Sequence, residues 1–203
     1  VALICESRFG SVMDYLNTHA PRLQHRLWLG PDAPNDCLSY DALLATAPGV
    51  EPAVETNEHA AYYYNLTSGT TGLPKSYVLT QYSACMLHSA LLAQDAHPDD
   101  VNLTVFPAFG RVGLGLLLMS LVMGARNVLA NFEPADTLRL IHDEGVTFAW
   151  LVPTMAALLL GAETLQPENL RSLRGIGFVG ATLPPAIRDQ TLARLCPRIY
   201  EGY

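Results

Sequence analysis

The sequence predicts an α/β protein built on a mainly parallel sheet with helices on both faces. Three observations carry this. From Val101 onward, short β-branched and aromatic runs alternate with helix-patterned stretches of about ten residues, the rhythm that strand–helix–strand crossovers impose. Half of the 203 residues are hydrophobic, enough for a sizeable core without cross-links. The apolar, uncharged run Val112 to Ala125 covers 14 residues. That is short of the roughly 20 that span a bilayer, so it is expected as a buried helix and no membrane span is expected.

The elements follow in order. Residues 1–7 (VALICES) are strand-like and 11–18 helical. A second strand at 25–30 (HRLWLG) is ended by Gly30 and Pro31. Ser39 is placed to N-cap a short helix through Ala47, where a hydroxyl satisfies a first-turn N–H. Residues 48–58, rich in Pro and Glu and without periodicity, form a surface connection. Aromatic content makes 61–66 (AYYYNL) a strand, and 76–80 (SYVLT) is another. Residues 81–94 carry Ala84, Leu87 and Leu91 at helical spacing. The turn HPDD at 97–100 is the expected boundary between a first α/β subdomain, 1–97, and a second, 98–203. In the second, strands are expected at 101–106, 126–130, 146–152, 173–180 and 198–203. Helices are expected at 113–123, 135–143, 154–162 and 184–195, with Gly145 near the C′ position of its helix. Ligands of such sheets sit at the carboxyl ends of the strands.

Composition excludes some functions. A net charge of −7 argues against a duplex nucleic-acid partner, which needs a basic face. Cys5, Cys37, Cys85 and Cys196 have no CxxC spacing and read as reduced core thiols of a cytoplasmic protein. No signal peptide is visible, the chain opens on Val1 within a strand-like run, and it closes on another, so a fragment of a larger protein is expected. The oligomeric state is not readable.

Between the two strands at 61–66 and 76–80 lies TSGTTGLPK, residues 67–75. Thr67, Ser68, Gly69, Thr70, Thr71 and Gly72 offer four hydroxyls and a run of backbone N–H groups. Glycines let those N–H groups converge into an anion nest, and Lys75 adds a point charge suited to phosphate. Two other readings stand beside a phosphate cradle. One is a P-loop, against which Pro74 precedes the lysine and a strand follows it. The other is a plain hairpin turn, for which the loop is long.

LTSGTTGLPK resembles the phosphate-loop signature of the adenylate-forming superfamily: acyl- and aryl-CoA synthetases, luciferases and adenylation domains. GARNVLANFEPADTLRLIHDEGVTFAWLVPTMAALL, LRSLRGIGFVGATLPPAI and RIYEGY are similar to further family segments, in the same order and at matching spacing. The resemblance covers essentially the whole chain. It implies part of the large N-terminal domain, with two α/β subdomains, and ATP-dependent activation of a carboxylic acid to an acyl-adenylate, followed by transfer to CoA or a carrier-protein thiol. It implies ATP, Mg2+ and CoA as cofactors or co-substrates. It places Thr67, Ser68, Gly69, Thr70, Thr71, Gly72 and Lys75 on the leaving pyrophosphate, with Lys75, Thr70 and Thr71 catalytic. Gly180, Ala181 and Thr182 would lie along adenine and acyl group, with Glu201, Gly202 and Tyr203 at the adenine. Phe109, Gly110, Val112, Gly113, Phe178 and Val179 would line the acyl pocket. None of these residues is assigned to a metal.

The sequence departs from the family pattern in three places. Ser76 stands where relatives carry Gly. Gly110 stands where many carry His, which bears on the thiol path. Phe178 and Val179 replace small residues, which reshapes the acyl pocket. The segment 106–115 holds no acid. An uncompensated ammonium there would cost several kcal/mol, so a neutral-tailed acid is expected rather than an amino acid. A non-catalytic nucleotide- or acyl-binding relative is the alternative. The family's Thr-Glu, ribose-binding Asp and C-terminal Lys would lie past residue 203. His88 and His142 read as ordinary helix residues. Asp99, Asp100, Asp143 and Glu144 read as solvated acids.

Overall fold

The structure is a computed structural model and describes residues 1–67, 73–89 and 95–202, with backbone only for 87–89. Its contacts divide into two compact units, Val1–Glu55 and Thr56–Tyr203.

In the first unit, β1 (Ala2–Glu6), β2 (His25–Leu29) and β3 (Leu38–Ser39) form a parallel sheet in that order. Helix α1 (Gly10–His19) connects β1 to β2, and α2 (Tyr40–Thr46) follows β3. Ser39 caps α2, its Oγ accepting from the Ala42 N–H at 3.3 Å. Strand β3, absent from the sequence expectation, is two residues long and carries no period of its own. Its register on Leu27 and Trp28 defines it. The buried apolar side chains are Cys5, Met13 and Trp28, and the Trp28 indole donates to the Pro31 carbonyl at 2.9 Å.

The second unit opens with an antiparallel hairpin, β4 (Ala61–Thr67) and β5 (Lys75–Thr80), followed by α3 (Gln81–Ser89). Five parallel strands come next: β6 (Val101–Thr104), β7 (Arg126–Leu129), β8 (Phe148–Leu151), β9 (Gly175–Phe178) and β10 (Ile199–Glu201). Their order is β10-β9-β8-β6-β7. The connecting helices are α4 (Arg111–Met123), α5 (Pro134–Asp143), α6 (Pro153–Leu160) and α7 (Pro185–Arg194). Proline opens α5, α6 and α7, where its missing N–H costs nothing. Gly124 (φ 70°) and Gly145 (φ 63°) end α4 and α5 in left-handed backbone, the conformation glycine adopts without strain.

The chain leaves β6 in one direction toward β7 and then crosses back to β8, β9 and β10, so the strand order reverses between β6 and β8. Right-handed crossovers then put α4 on one face and α5, α6 and α7 on the other. Side-chain alternation agrees. Leu103, Ala149, Leu151, Ile176 and Phe178 pack with Leu138, Ile141, Leu159 and Leu160 of α5 and α6. Phe148 and Trp150 pack with Leu116 and Met119 of α4.

Three expectations are corrected. Helix α4 is not buried all round: Gly113, Leu116, Met119 and Ser120 face the sheet, while Leu121 and Val122 are exposed, because a helix lying on one sheet face covers only a stripe. Asp100 is no solvated turn acid. It is 4 % exposed and accepts from the His97 N–H (2.7 Å), Thr147 Oγ1 (2.6 Å) and Arg174 Nη2 (2.7 and 2.9 Å). Burial pushes its carboxyl up, but these hydrogen bonds and the guanidinium charge together hold it below the ordinary value. Of the four free cysteines, only Cys5 and Cys196 are buried; Cys37 is half-buried and Cys85 exposed. Within the second unit the hairpin and α3 pack on α4. Tyr63 Oη donates to the Phe109 carbonyl at 2.7 Å, and Arg111 lies 6.0 Å from the Tyr77 ring centroid.

Candidate functional site

The hairpin places the ends of the hydroxyl–glycine segment. Thr67 pairs directly with Lys75 across β4 and β5, and Thr67 Oγ1 donates to the Lys75 carbonyl at 3.3 Å. Lys75 is exposed and is the first residue of a strand. A P-loop lysine stands in the first turn of a helix, so this geometry excludes that reading. Ser68, Gly69, Thr70, Thr71 and Gly72 lie outside the described residues. Ser76 pairs with Leu66 in the regular ladder and is exposed, so its backbone makes no demand for glycine.

All five parallel strands end at one edge, and the other expected site segments gather there. After β6, the Gly110 N–H donates to the Pro107 carbonyl at 2.9 Å, and Gly110 is the N-cap of α4. Gly113 lies so close over the Pro107 and Phe106 carbonyls that a Cβ there would overlap them. After β9, Gly180 has φ 83°, and Ala181 and Thr182 are exposed. The Gly202 N–H donates to the Phe178 carbonyl at 2.8 Å, bringing the segments after β9 and β10 together; Glu201 is exposed. Tyr203 lies outside the described residues. The hairpin touches the segment after β6 through Tyr63 and Phe109. Among the described residues no hydrogen bond joins the hairpin to 179–182 or 201–202.

The six expected acyl-pocket residues separate. Val112 and Val179 pack against the α4-facing cluster of Leu116, Met119, Phe148 and Trp150, and Gly110 and Gly113 shape the loop above it. Phe109 is 84 % exposed. Phe178 is 1 % exposed and belongs to the opposite face, packed with the α5–α7 core. Strand alternation is the cause, since Gly177 and Val179 face α4 and Phe178 cannot. The side chain that occupies the α4 face of this row is Trp150, whose register partner is Gly177. A Cβ at Gly177 would overlap the Trp150 indole, so the glycine leaves the space that the tryptophan fills. Sequence reading did not single out Trp150, although the Phe148–Trp150 alternation opposite Gly175–Gly177 was its available signal.

Among the described residues no three His, Cys, Asp or Glu side chains are grouped to hold a metal ion, and no helix is long and apolar enough to cross a membrane.

An open parallel sheet whose loops converge at the carboxyl edge beside the reversal of strand order defines an α/β protein with a candidate ligand site at that edge. The chain belongs to the AMP-binding enzyme family, whose model matches residues 13–203. It is 32 % identical over 187 residues to a long-chain-fatty-acid–CoA ligase of Thermus thermophilus, covering 89 % of this chain and 34 % of that protein. It is 31 % identical over 146 residues to a 4-chlorobenzoate–CoA ligase of a Pseudomonas species, covering 68 % and 27 %. Among solved structures, the inhibitor-bound N-terminal domain of FACL13 from Mycobacterium tuberculosis superposes with a TM-score of 0.83 at 25 % identity, over 98 % of this chain and 49 % of that one. The anthranilate CoA ligase AuaEII with anthranoyl-AMP gives 0.84 at 21 % identity, over 96 % and 39 %. The chain thus spans about a third of the length of the curated relatives it matches.

Proposed function

We propose that the protein containing this chain activates a carboxylic acid with ATP. The carboxylate oxygen attacks the α-phosphorus, the bond to the pyrophosphate oxygen breaks, and acyl-adenylate and pyrophosphate result. A thiolate, for which CoA is the first choice given the relatives' activities, then attacks the acyl carbon and AMP leaves. The observation that carries the reading is the Thr67–Lys75 pair. It sets Lys75 opposite Thr67 at the first residue of a strand, at the two ends of the hydroxyl–glycine sequence, whose residue types suit an anion. Positioning and charge neutralisation are what phosphoryl-centre displacement needs from a protein.

In this reading Thr67, Ser68, Gly69, Thr70, Thr71, Gly72 and Lys75 hold the leaving pyrophosphate. Gly180, Ala181, Thr182, Glu201, Gly202 and Tyr203 hold the adenine side. Val112, Gly113 and Val179 border the acyl group. The left-handed Gly180 fits, because it turns bare backbone outward at the carboxyl edge. Magnesium enters on the nucleotide phosphates, its usual mode. In the intact protein, Lys75→Ala is expected to lower acid-dependent ATP–pyrophosphate exchange by roughly tenfold or more. Undiminished exchange would remove Lys75 from the machinery.

A further inference from the structure

The α4 face of the five-stranded sheet is polar in two rows. In the lower row Asn102 Nδ2 and Asn127 Nδ2 both donate to Ser120 Oγ, at 3.0 and 2.9 Å, and Ser120 Oγ donates to the Leu116 carbonyl at 3.0 Å. In the upper row, nearest the carboxyl edge, the Thr104 hydroxyl and the Trp150 indole N–H have no hydrogen-bond partner among the described residues. Thr104 is 2 % exposed and Trp150 5 %. Strand register puts the two on neighbouring strands at the same level. The ladder pairs Asn102 with Phe148 and Leu103 with Ala149, so the next step sets Thr104 beside Trp150. Thr104 shares the face of Asn102 by alternation. The benzo ring of Trp150 covers Gly177, which leaves the indole N–H on the ring's other edge, away from β9.

Two buried, unpaired polar groups are costly to a fold that gains nothing from them. These two belong to β6 and β8, the strands between which the order reverses, where open α/β sheets take their ligands. Half-buried apolar residues border the cluster containing Trp150: Phe106, Val112, Val179 and Tyr200. Asn127 Oδ1 in the lower row, Arg26 Nε in the first unit, and the hydroxyls of Thr137 and Thr191 on α5 and α7 also lack partners among the described residues, but of these groups only Thr104 and Trp150 stand in the upper row of the α4 face.

We infer that Thr104 and Trp150 form a polar subsite at the inner end of the acyl site. It takes an acid whose tail carries a hydroxyl group, which accepts from the Trp150 N–H and exchanges a hydrogen bond with the Thr104 hydroxyl. The inference rests on the acid-activating reading and names its substrate class. A site with buried polar groups rejects analogues that leave those groups unpaired far more strongly than an apolar pocket rejects a missing methylene.

The test uses the intact protein and two matched pairs of acids: benzoate with 4-hydroxybenzoate, and decanoate with 10-hydroxydecanoate. Calorimetric binding without ATP is expected to favour the hydroxy acid of one pair by at least about tenfold, and which pair responds separates a ring hydroxyl from a chain hydroxyl. Thr104→Val and Trp150→Phe should each abolish the preference. Thr104→Val, which is nearly isosteric and removes an unpaired hydroxyl, should also unfold at or above the wild-type midpoint. Absence of preference in both wild-type pairs, absence of binding, or a preference that survives both substitutions would overturn the subsite. Pyrophosphate exchange with the same acids keeps the two readings apart. Exchange without preference removes the subsite and retains acid activation; preference without exchange does the reverse.

Discussion

The two faces of the five-stranded sheet are built from the same strands and serve different ends. Toward α5–α7, Leu103, Ala149, Leu151, Ile176 and Phe178 meet aliphatic helix residues in one closed apolar layer. Toward α4, the same strands present Asn102, Thr104, Phe148, Trp150 and two glycines, with half-buried residues reaching the carboxyl edge. Close packing is what holds a fold together. The α4 layer is instead made of polar groups and of aromatics packed against glycines. On the proposed function, the α5–α7 face carries stability and the α4 face borders the acyl site.

Substitutions can break or sharpen that division. Leu151→Ala, on the closed face, should cost about 3 kcal/mol through the cavity it leaves, read as a lower urea midpoint at unchanged slope, with preference among acids unchanged. An equal loss of preference would erase the distinction between the faces. Gly177→Ala, on the α4 side, should cost roughly 2 kcal/mol by overpacking against Trp150. In a Trp150→Phe background it should cost less, because the two residues compete for one space.

Asp100→Ala, at the amino edge away from both faces, should cost about 2 kcal/mol at neutral pH, the scale of a charged hydrogen-bond network with a half-exposed arginine. Because the folded carboxyl titrates below its unfolded value of about 3.9, this stability is present above pH ~4. It is lost as pH falls through the folded value, so wild type and variant should converge in acid. The smallest effect is at Ser76→Gly, which should lower stability by less than about 1 kcal/mol, the usual cost of glycine in a strand. Exchange should be unaffected, since Ser76 lies in an ordinary ladder pair.

The strand–helix rhythm after Val101 was legible because each strand's period of two and each helix's stripe survive in the sequence. Gly145 was readable as a helix end for the same local reason. Asp100 was not, since its partners Thr147 and Arg174 are distant in sequence. The exposed side of α4 was hidden because an apolar run does not say which of its faces meets a sheet. At the site, the segments were readable as segments. Which side chain of GIGFVG faces α4 was not, until register set Gly177 and Val179 toward α4 and turned Phe178 into the core. Trp150 was overlooked for a related reason: its role depends on the glycine beside it in space, 27 positions later in the chain.

The most direct test of the account is pyrophosphate exchange by the intact protein, measured with ATP and magnesium in the presence and absence of a panel of carboxylic acids. The account predicts label exchange into ATP only when an acid is supplied, and loss of that exchange in Lys75→Ala. ATP turnover independent of every acid, unaffected by the lysine substitution, would contradict it.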